Sequence, residues 1–368
     1  MGLARSSRYA FLTGSAGGAF YSRGRYALLE AYRLAGVGPG RALLAPAYHC
    51  RTMVDPAVRL AAETVLYPCD RELRPDWPSI SRLIETSVRP VKALLLTHFF
   101  GIRQDMKAAR AFCDAHDLAL IEDCSHAFAY LQKGEKPGTY SDFVIASPYK
   151  FAPCEDGGLL LAGRGRRLPD TALRSPGPAA QLRALARTVE RVFSPPPPPA
   201  ATASAAPIRP AELVPAAEAE EAGDTLSTLY DPRDENNAGF FASRLILGTS
   251  NPDKIAEARR SNYRRWVEAV APLPRCQALF PELEENCVPY MFPLYIDHPN
   301  PHFYILKHLG VPIWRWDEMA VSACPVAADY RLRVLHLPCH QALGAGDMAW
   351  LTATVAAVMR TASCEPCR

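Results

Sequence analysis

The chain has 368 residues, 49% hydrophobic and 21% charged, which is the balance of a soluble globular protein long enough for one large domain and a smaller one. A net charge of +3 speaks against a nucleic-acid or other polyanion partner. No apolar run is long enough to cross a bilayer and residues 1–13 lack the profile of a secretory leader, so the expectation is a cytoplasmic protein with no membrane partner.

In chain order, residues 1–19 form an N-terminal arm that includes the glycine-rich turn Gly14-Ser15-Ala16-Gly17-Gly18. Apolar residues at roughly helical spacing predict a helix over 20–36, with Gly24 at its mouth. Short apolar strands follow at 42–45, 64–67, 92–97 and 118–121, then at 143–146 and 159–162, with amphipathic stretches such as 106–116 between them. Alternating strands and helices predict right-handed βαβ units and a mostly parallel sheet covered on both faces. Residues 20–193 are read as this large domain. Over 194–224 the composition shifts to a proline and alanine tract, with prolines at every position from 195 to 199. Such a tract reads as a solvated insertion and a passive one, because it carries no aromatic anchor. Residues 225–250 return to the large domain. Residues 251–368 form a smaller α+β domain, with a helix to Val270, alternating segments at 288–296 and 333–337, and a last helix over 347–360. The 11 cysteines are an odd number, scattered and often within apolar runs, which favours reduced thiols over a disulfide framework. Cys364-Glu365-Pro366-Cys367 is an isolated pair in a frayed tail, without the further ligands a metal needs.

Ligands of open α/β sheets gather at the carboxyl ends of the strands, where His49, His98 and Asp123 all fall. Asp123 closes Ile121-Glu122-Asp123. Lys150, twenty-seven residues on, follows the strand at 143–146 and precedes Asp156-Gly157-Gly158. A carboxylate and a lysine so placed are the two polar anchors of a pyridoxal phosphate (PLP) site. The amine condenses with the cofactor aldehyde, and the carboxylate keeps the pyridine nitrogen protonated. A carboxylate in the place of Asp123 also serves as a helix cap, and most lysines are solvated, but Tyr149 and Phe151 are poor company for an exposed ammonium. An apolar pocket would lower the lysine pKa and sharpen its nucleophilicity. His126 lies one turn beyond Asp123, within reach of the cofactor phenolate or of Asp123 itself. Gly24 and the free amides of its helix suit a phosphate, Ser147 is a further phosphate contact, and either Tyr48 or His49 is placed to stack on a flat cofactor ring. His98 and His49 together invite a zinc reading, but no third ligand is evident, so no metal is expected and crevice lining is favoured.

In order and spacing these segments resemble the DegT/DnrJ/StrS family of PLP-dependent sugar aminotransferases, of fold type I. The similarity rests on Ser22-Arg23-Gly24-Arg25-Tyr26-Ala27-Leu28, Pro46-Ala47-Tyr48, Thr97-His98-Phe99-Phe100-Gly101, Glu122-Asp123-Cys124-Ser125-His126-Ala127 and Ser147-Pro148-Tyr149-Lys150 with Asp156-Gly157-Gly158. Arg259-Arg260-Ser261-Asn262-Tyr263 and Leu337-Pro338-Cys339-His340-Gln341 extend it toward the C-terminus. The resemblance implies a three-layer α/β/α PLP-transferase large domain and a small C-terminal α+β domain. It implies Lys150 and Asp123 as catalytic groups, with Gly24, Arg25, Tyr48, His49, His126 and Ser147 around the cofactor and His98 and His340 toward the substrate.

It further implies a homodimer with shared sites, and transfer of an amino group from glutamate or glutamine to a keto-sugar nucleotide or a specialised metabolite. Three departures stand out. Ser147 precedes the lysine by three residues rather than five, Cys50 stands where relatives carry a stacking aromatic, and the Asn236-Asn237 region aligns poorly. Two rival readings keep the fold: elimination or aldol chemistry with the same cofactor, and a non-catalytic binding protein.

Overall fold

The computed structural model describes residues 18–129, 136–193 and 225–361. The proline-rich tract at 194–224 and the Cys364-Cys367 pair lie outside these residues. The described chain runs β1 (Gly18–Tyr21), α1 (Gly24–Leu34), β2 (Ala42–Pro46), α2 (Arg51–Arg59), β3 (Glu63–Tyr67), α3 (Trp77–Thr86), β4 (Val91–Thr97), α4 (Met106–Ala115), β5 (Ala119–Asp123), β6 (Phe143–Ala146) and β7 (Gly158–Ala162). It continues through α5 (Pro178–Phe193), α6 (Phe241–Thr249), α7 (Pro252–Val270), β8 (Cys276–Ala278), β9 (Met291–Ile296), α8 (Pro299–His308), α9 (Pro325–Arg333), β10 (Val334–Pro338) and α10 (Ala345–Arg360).

Strands β1 to β7 form one seven-stranded sheet in the order β1-β7-β6-β5-β4-β2-β3. The pairs from β3 to β6 are parallel, whereas β7 runs antiparallel to β6 and β1 antiparallel to β7. Leu43, Ala45, Ala93, Leu95 and Ile121 pack under α1 and α2 on one face. Ala42, Leu44, Leu94, Leu96 and Leu120 pack under α3 and α4 on the other. This two-sided burial explains why the strands read as unbroken apolar runs. Each fully buried leucine contributes about 1.5–3 kcal/mol. A second antiparallel sheet, β10-β9-β8, has its own core, with Trp266, Phe292, Leu335 and Val355 among its buried residues. The expected fold class is therefore the one observed: a three-layer, mostly parallel α/β unit with a smaller α+β unit.

Three expectations need correction. The first helix starts at Gly24, not at residue 20, because residues 18–21 form an edge strand on β7. That pairing is made with residues 158–161, far along the chain, so no local periodicity announces it. Strand β5 runs through Glu122 and Asp123 rather than ending before them, held by parallel pairing of Leu96 with Glu122 and Thr97 with Asp123. Strand β9 begins at Met291, three residues later than the alternating pattern suggested. No helix among the described residues is long and apolar enough to cross a membrane.

Candidate active site

Three chain segments meet where β5 and β6 end. Asp123 is the last residue of β5, and its carbonyl accepts the His98 amide at 3.1 Å, tying it to the end of β4. After β6, the 3-10 turn Pro148–Lys150 closes through the Lys150 amide on the Ser147 carbonyl, 3.0 Å away. Helix α1 points its N-terminus at the same place. No side chain caps that helix. A Cβ on Gly24 would lie 2.3 Å from Ser147 Oγ and 3.7 Å from Ser125 Oγ, so glycine alone allows this approach. Ser147 Oγ donates to Ser125 Oγ at 3.1 Å, and both serines are buried. An uncapped helix start with two buried hydroxyls has the donors a phosphate monoester needs.

Gly157 and Gly158 make the second close approach. Gly157 has φ +139° and its amide donates to the Ser22 carbonyl at 2.9 Å. A Cβ on Gly158 would sit 2.1 Å from the Arg23 carbonyl oxygen and 2.6 Å from the Gly24 nitrogen. Gly158→Ala must therefore push β7 away from the start of α1. We expect it to cost about 1–3 kcal/mol in stability and to weaken cofactor binding, read from a denaturant midpoint and a cofactor titration.

Asp123 is 1% exposed and accepts the Ser125 amide at 2.8 Å. Burial raises its pKa, and the Ser125 contacts and the Lys150 charge oppose that rise without cancelling it. A carboxylate so placed is short of positive charge, and a protonated ring nitrogen would supply it. Lys150 is partly buried, with Nζ 5.2 Å from the centroid of the Tyr290 ring. Burial alone would lower its pKa, as expected from sequence. Its neighbours Tyr290, Tyr149, Cys50 and Asp123 outweigh that, and the net direction is upward. The expectation of a lowered lysine pKa is corrected accordingly for the protein without a bound aldehyde.

His126 is buried, its ring stacked on Tyr290 at 4.4 Å, and its Nδ1 accepts the Phe100 amide at 3.4 Å. Burial, with the Lys150 charge next, pushes its pKa well down, so it stays neutral. With Nδ1 accepting, the ring proton resides on Nε2.

Tyr48 and His49 are held by other contacts of their own. The Tyr48 hydroxyl meets His336 Nε2 at 3.0 Å, and its ring packs on Trp316 at 4.8 Å. His49 uses Nδ1 on the Ala47 carbonyl at 2.9 Å and Nε2 on the Ala320 amide at 3.2 Å, and burial lowers its pKa to about 4. Its two nitrogens are thus occupied in bracing the backbone. His98 is equally engaged: Nε2 meets Glu122 Oε1 at 3.1 Å and Nδ1 accepts the Gln104 amide at 3.0 Å. Glu122 Oε2 also accepts from the Gly138 amide at 3.0 Å and from Ser141 Oγ at 2.8 Å. His98, Glu122 and Cys124 lie close together, but here they are a hydrogen-bonded brace on the face away from Asp123. His340 joins through its carbonyl, which accepts from Asn262 Nδ2 at 3.0 Å. Arg25 follows Gly24 on the first turn of α1 and is partly exposed.

Tyr290, His336 and Ser125 were not singled out by sequence. Tyr290 immediately precedes β9 and His336 lies in β10, within alternating segments that mark strands and not a site. His336 is fully buried with Nδ1 unpartnered, and burial together with the Lys150 charge lowers its pKa to about 3. Ser125 sits in the acidic segment already recognised, two residues past Asp123, where a hydroxyl at a strand end was the available signal.

Residues 10–167 match the model of the DegT/DnrJ/EryC1/StrS aminotransferase family. Over these residues, under half of the chain, the protein is similar to that family. The chain is 26% identical over 164 residues to a UDP-N-acetyl-3-dehydro-alpha-D-glucosamine 3-aminotransferase of Acidithiobacillus ferrooxidans, covering 44% of each chain. It is 28% identical over 144 residues to the GDP-perosamine synthase of Vibrio cholerae, covering 38% of each. It thus spans under half the length of these curated relatives. Among solved structures, DesV of S. venezuelae in complex with a ketimine intermediate superposes with a TM-score of 0.65 at 16% identity, covering 99% of this chain and 91% of that one. At that identity the likeness concerns the fold alone.

Proposed function

We propose that the chain is a PLP-dependent aminotransferase, with glutamate or glutamine as donor and a keto-sugar nucleotide or related keto metabolite as acceptor. The observation that carries this reading is the convergence of Asp123, Lys150 and the Gly24-Ser125-Ser147 cradle at the ends of β5 and β6. The two curated relatives named above, both of the sugar-aminotransferase kind, support the acceptor class.

Gly24, Arg25, Ser125 and Ser147 would hold the cofactor phosphate, Asp123 the ring nitrogen, His126 the ring or its phenolate, and Lys150 the aldehyde carbon. When bound, PLP supplies an electron sink for the substrate α-carbon. The residues do the rest. Asp123 keeps a positive charge on the ring nitrogen. Lys150, once its amine is free, would take the proton from the substrate α-carbon and return it to the cofactor carbon on the other side of the intervening nitrogen. His126, held neutral, donates through Nε2 without adding a competing charge. Tyr290 covers the amine with an aromatic face and limits water around it.

Purified protein is expected to absorb in the visible and to lose that band on addition of L-glutamate alone. A band that persists with glutamate and with glutamine, yet bleaches with an acceptor, would instead favour elimination or aldol chemistry. A protein that never takes up the cofactor would overturn the reading.

A twofold homodimer is part of the same proposal. Supporting it, α5 exposes Leu182 and Leu185 at 68% and 45%, and α6 exposes Phe241 and Leu245 at 68% and 53%. These two helices pack together, and a second copy would cover their open apolar residues. Sedimentation at micromolar concentration should give twice the 40.4 kDa chain mass. A fully active monomer would refute it.

A further inference from the structure

All nine cysteines among the described residues are free. Two of them face each other between the turn after β3 and the start of α9, and neither takes part in the chemistry above. Cys69 lies just past the end of β3 at Tyr67, and Cys324 is the N-cap of α9. They are 255 positions apart in the chain, and Cys324 Sγ stands 3.7 Å from the Cys69 carbonyl oxygen. The two side chains also hydrogen-bond to each other. The surrounding backbone holds this approach. An antiparallel bridge between Cys69 and Pro75 fixes the turn, and the Tyr330 hydroxyl of α9 donates to the Arg71 carbonyl at 2.8 Å. Cys69 and Cys324 are 6% and 3% exposed, yet Asp70, Ala323 and Pro325 beside them in the chain are exposed, so the pair lies directly beneath the surface.

The two sulfurs are not alike. Cys324 Sγ accepts the Ala327 amide at 3.4 Å, at a helix start where the backbone dipoles favour an anion. The hydrogen bond from the Cys69 thiol, and after it the amides of Cys69, Ala327 and Val326, hold the Cys324 thiol below its ordinary pKa against the effect of burial. The same hydrogen bond, with burial, pushes Cys69 up, so the proton between them stays on Cys69. Elsewhere burial drives the thiols of Cys113, Cys154, Cys287 and Cys339 up to about 12. A sulfur that carries negative charge readily, set against one that keeps its proton, is the division between an attacking and a resolving thiol.

We propose that Cys69 and Cys324 form a reversible oxidation site, which a peroxide closes to a disulfide. The Cys324 thiolate attacks one oxygen of hydrogen peroxide. An S–O bond forms, the O–O bond breaks, and the departing hydroxide takes a proton from solvent to become water. Cys324 is then a sulfenic acid. The Cys69 sulfur attacks the Cys324 sulfur, the S–S bond forms as S–O breaks, and the second hydroxide leaves as water with the Cys69 proton. The electron pair given up by the two thiols reduces the peroxide to water. The product ties the turn after β3 to α9, and a thiol reductant opens it again.

The test treats reduced full-length protein, freed of reductant, with an equimolar amount of hydrogen peroxide, followed by alkylation in denaturant and peptide mapping. A disulfide-linked peptide pair carrying residues 69 and 324 is expected, and dithiothreitol should abolish it. In Cys69→Ala the disulfide should be missing, and dimedone should instead capture a sulfenic acid on Cys324, about tenfold more than on Cys113. A wild type in which residues 69 and 324 stay alkylated as free thiols while other cysteines oxidise overturns the proposal, and that reading needs no variant. Dimedone capture on Cys69 in Cys324→Ala, as fast as the disulfide forms in the wild type, would overturn the assignment of Cys324 as the attacking sulfur. Labelling of Cys324 no greater than that of Cys113 in Cys69→Ala would do the same.

Discussion

Lys150→Ala is expected to fold, to dimerise as the wild type does, and to lose turnover by about four orders of magnitude, the upper range for removing a positioned acid–base group. The effect should be larger than at any other position because one amine serves twice, as the anchor of the cofactor aldehyde and as the carrier of the substrate proton. Borohydride treatment of the wild type followed by peptide mapping should place the label on Lys150, and the variant should take up none. Rates within about tenfold of the wild type would remove Lys150 from the mechanism. Folding should survive the change, since the backbone contacts of residue 150 are made by its amide and carbonyl and not by its side chain.

Asp123→Asn carries the second large effect. The variant should still bind the cofactor through the Gly24-Ser125-Ser147 cradle, yet lose turnover by several orders of magnitude, because a neutral ring is a poor electron sink. Its stability without cofactor should move the other way. Burial raises the Asp123 pKa in the folded state, so the native protein binds the proton more tightly than the unfolded chain. Stability tied to this group is present at low pH and is lost as pH rises from the unfolded value through the folded one. Asparagine removes that loss, and the cofactor-free variant should be at least as stable as the wild type near neutral pH by chemical denaturation. A variant with near wild-type rates would show that another acid serves the ring.

Much of the large unit was legible because its strands are buried on both faces and announce themselves as apolar runs. Strand β6 fell on the expected residues, and β2 to β5 within a residue or two at each end. Lys150 and Asp123 could be paired from sequence because both follow such runs. What escaped depends on contacts between distant segments. Strand β1 exists only through β7, and Tyr290 reaches Lys150 across 140 positions of chain. His49 and His98 show the converse. Their places after strand ends were read correctly, but backbone amides and Glu122 occupy their ring nitrogens, and no sequence pattern tells a histidine that faces a crevice from one that braces it.

Arg259 on α7 is buried and gathers carbonyls from three separate stretches of chain. It donates to the Lys150 oxygen at 2.9 Å, to Pro289 and Tyr290 at 3.1 and 2.9 Å, and to Gln341 Oε1 at 2.8 Å, while its guanidinium lies 4.5 Å over the Phe151 ring. The backbone of Lys150 is thereby fastened to the segments that immediately precede β9 and follow β10. Local opening of those segments is expected to carry the Lys150 turn with it. Amide hydrogens of the 148–152 turn and of β9 should then exchange with solvent through one shared fluctuation, and a ligand that slows exchange at one should slow it at the other.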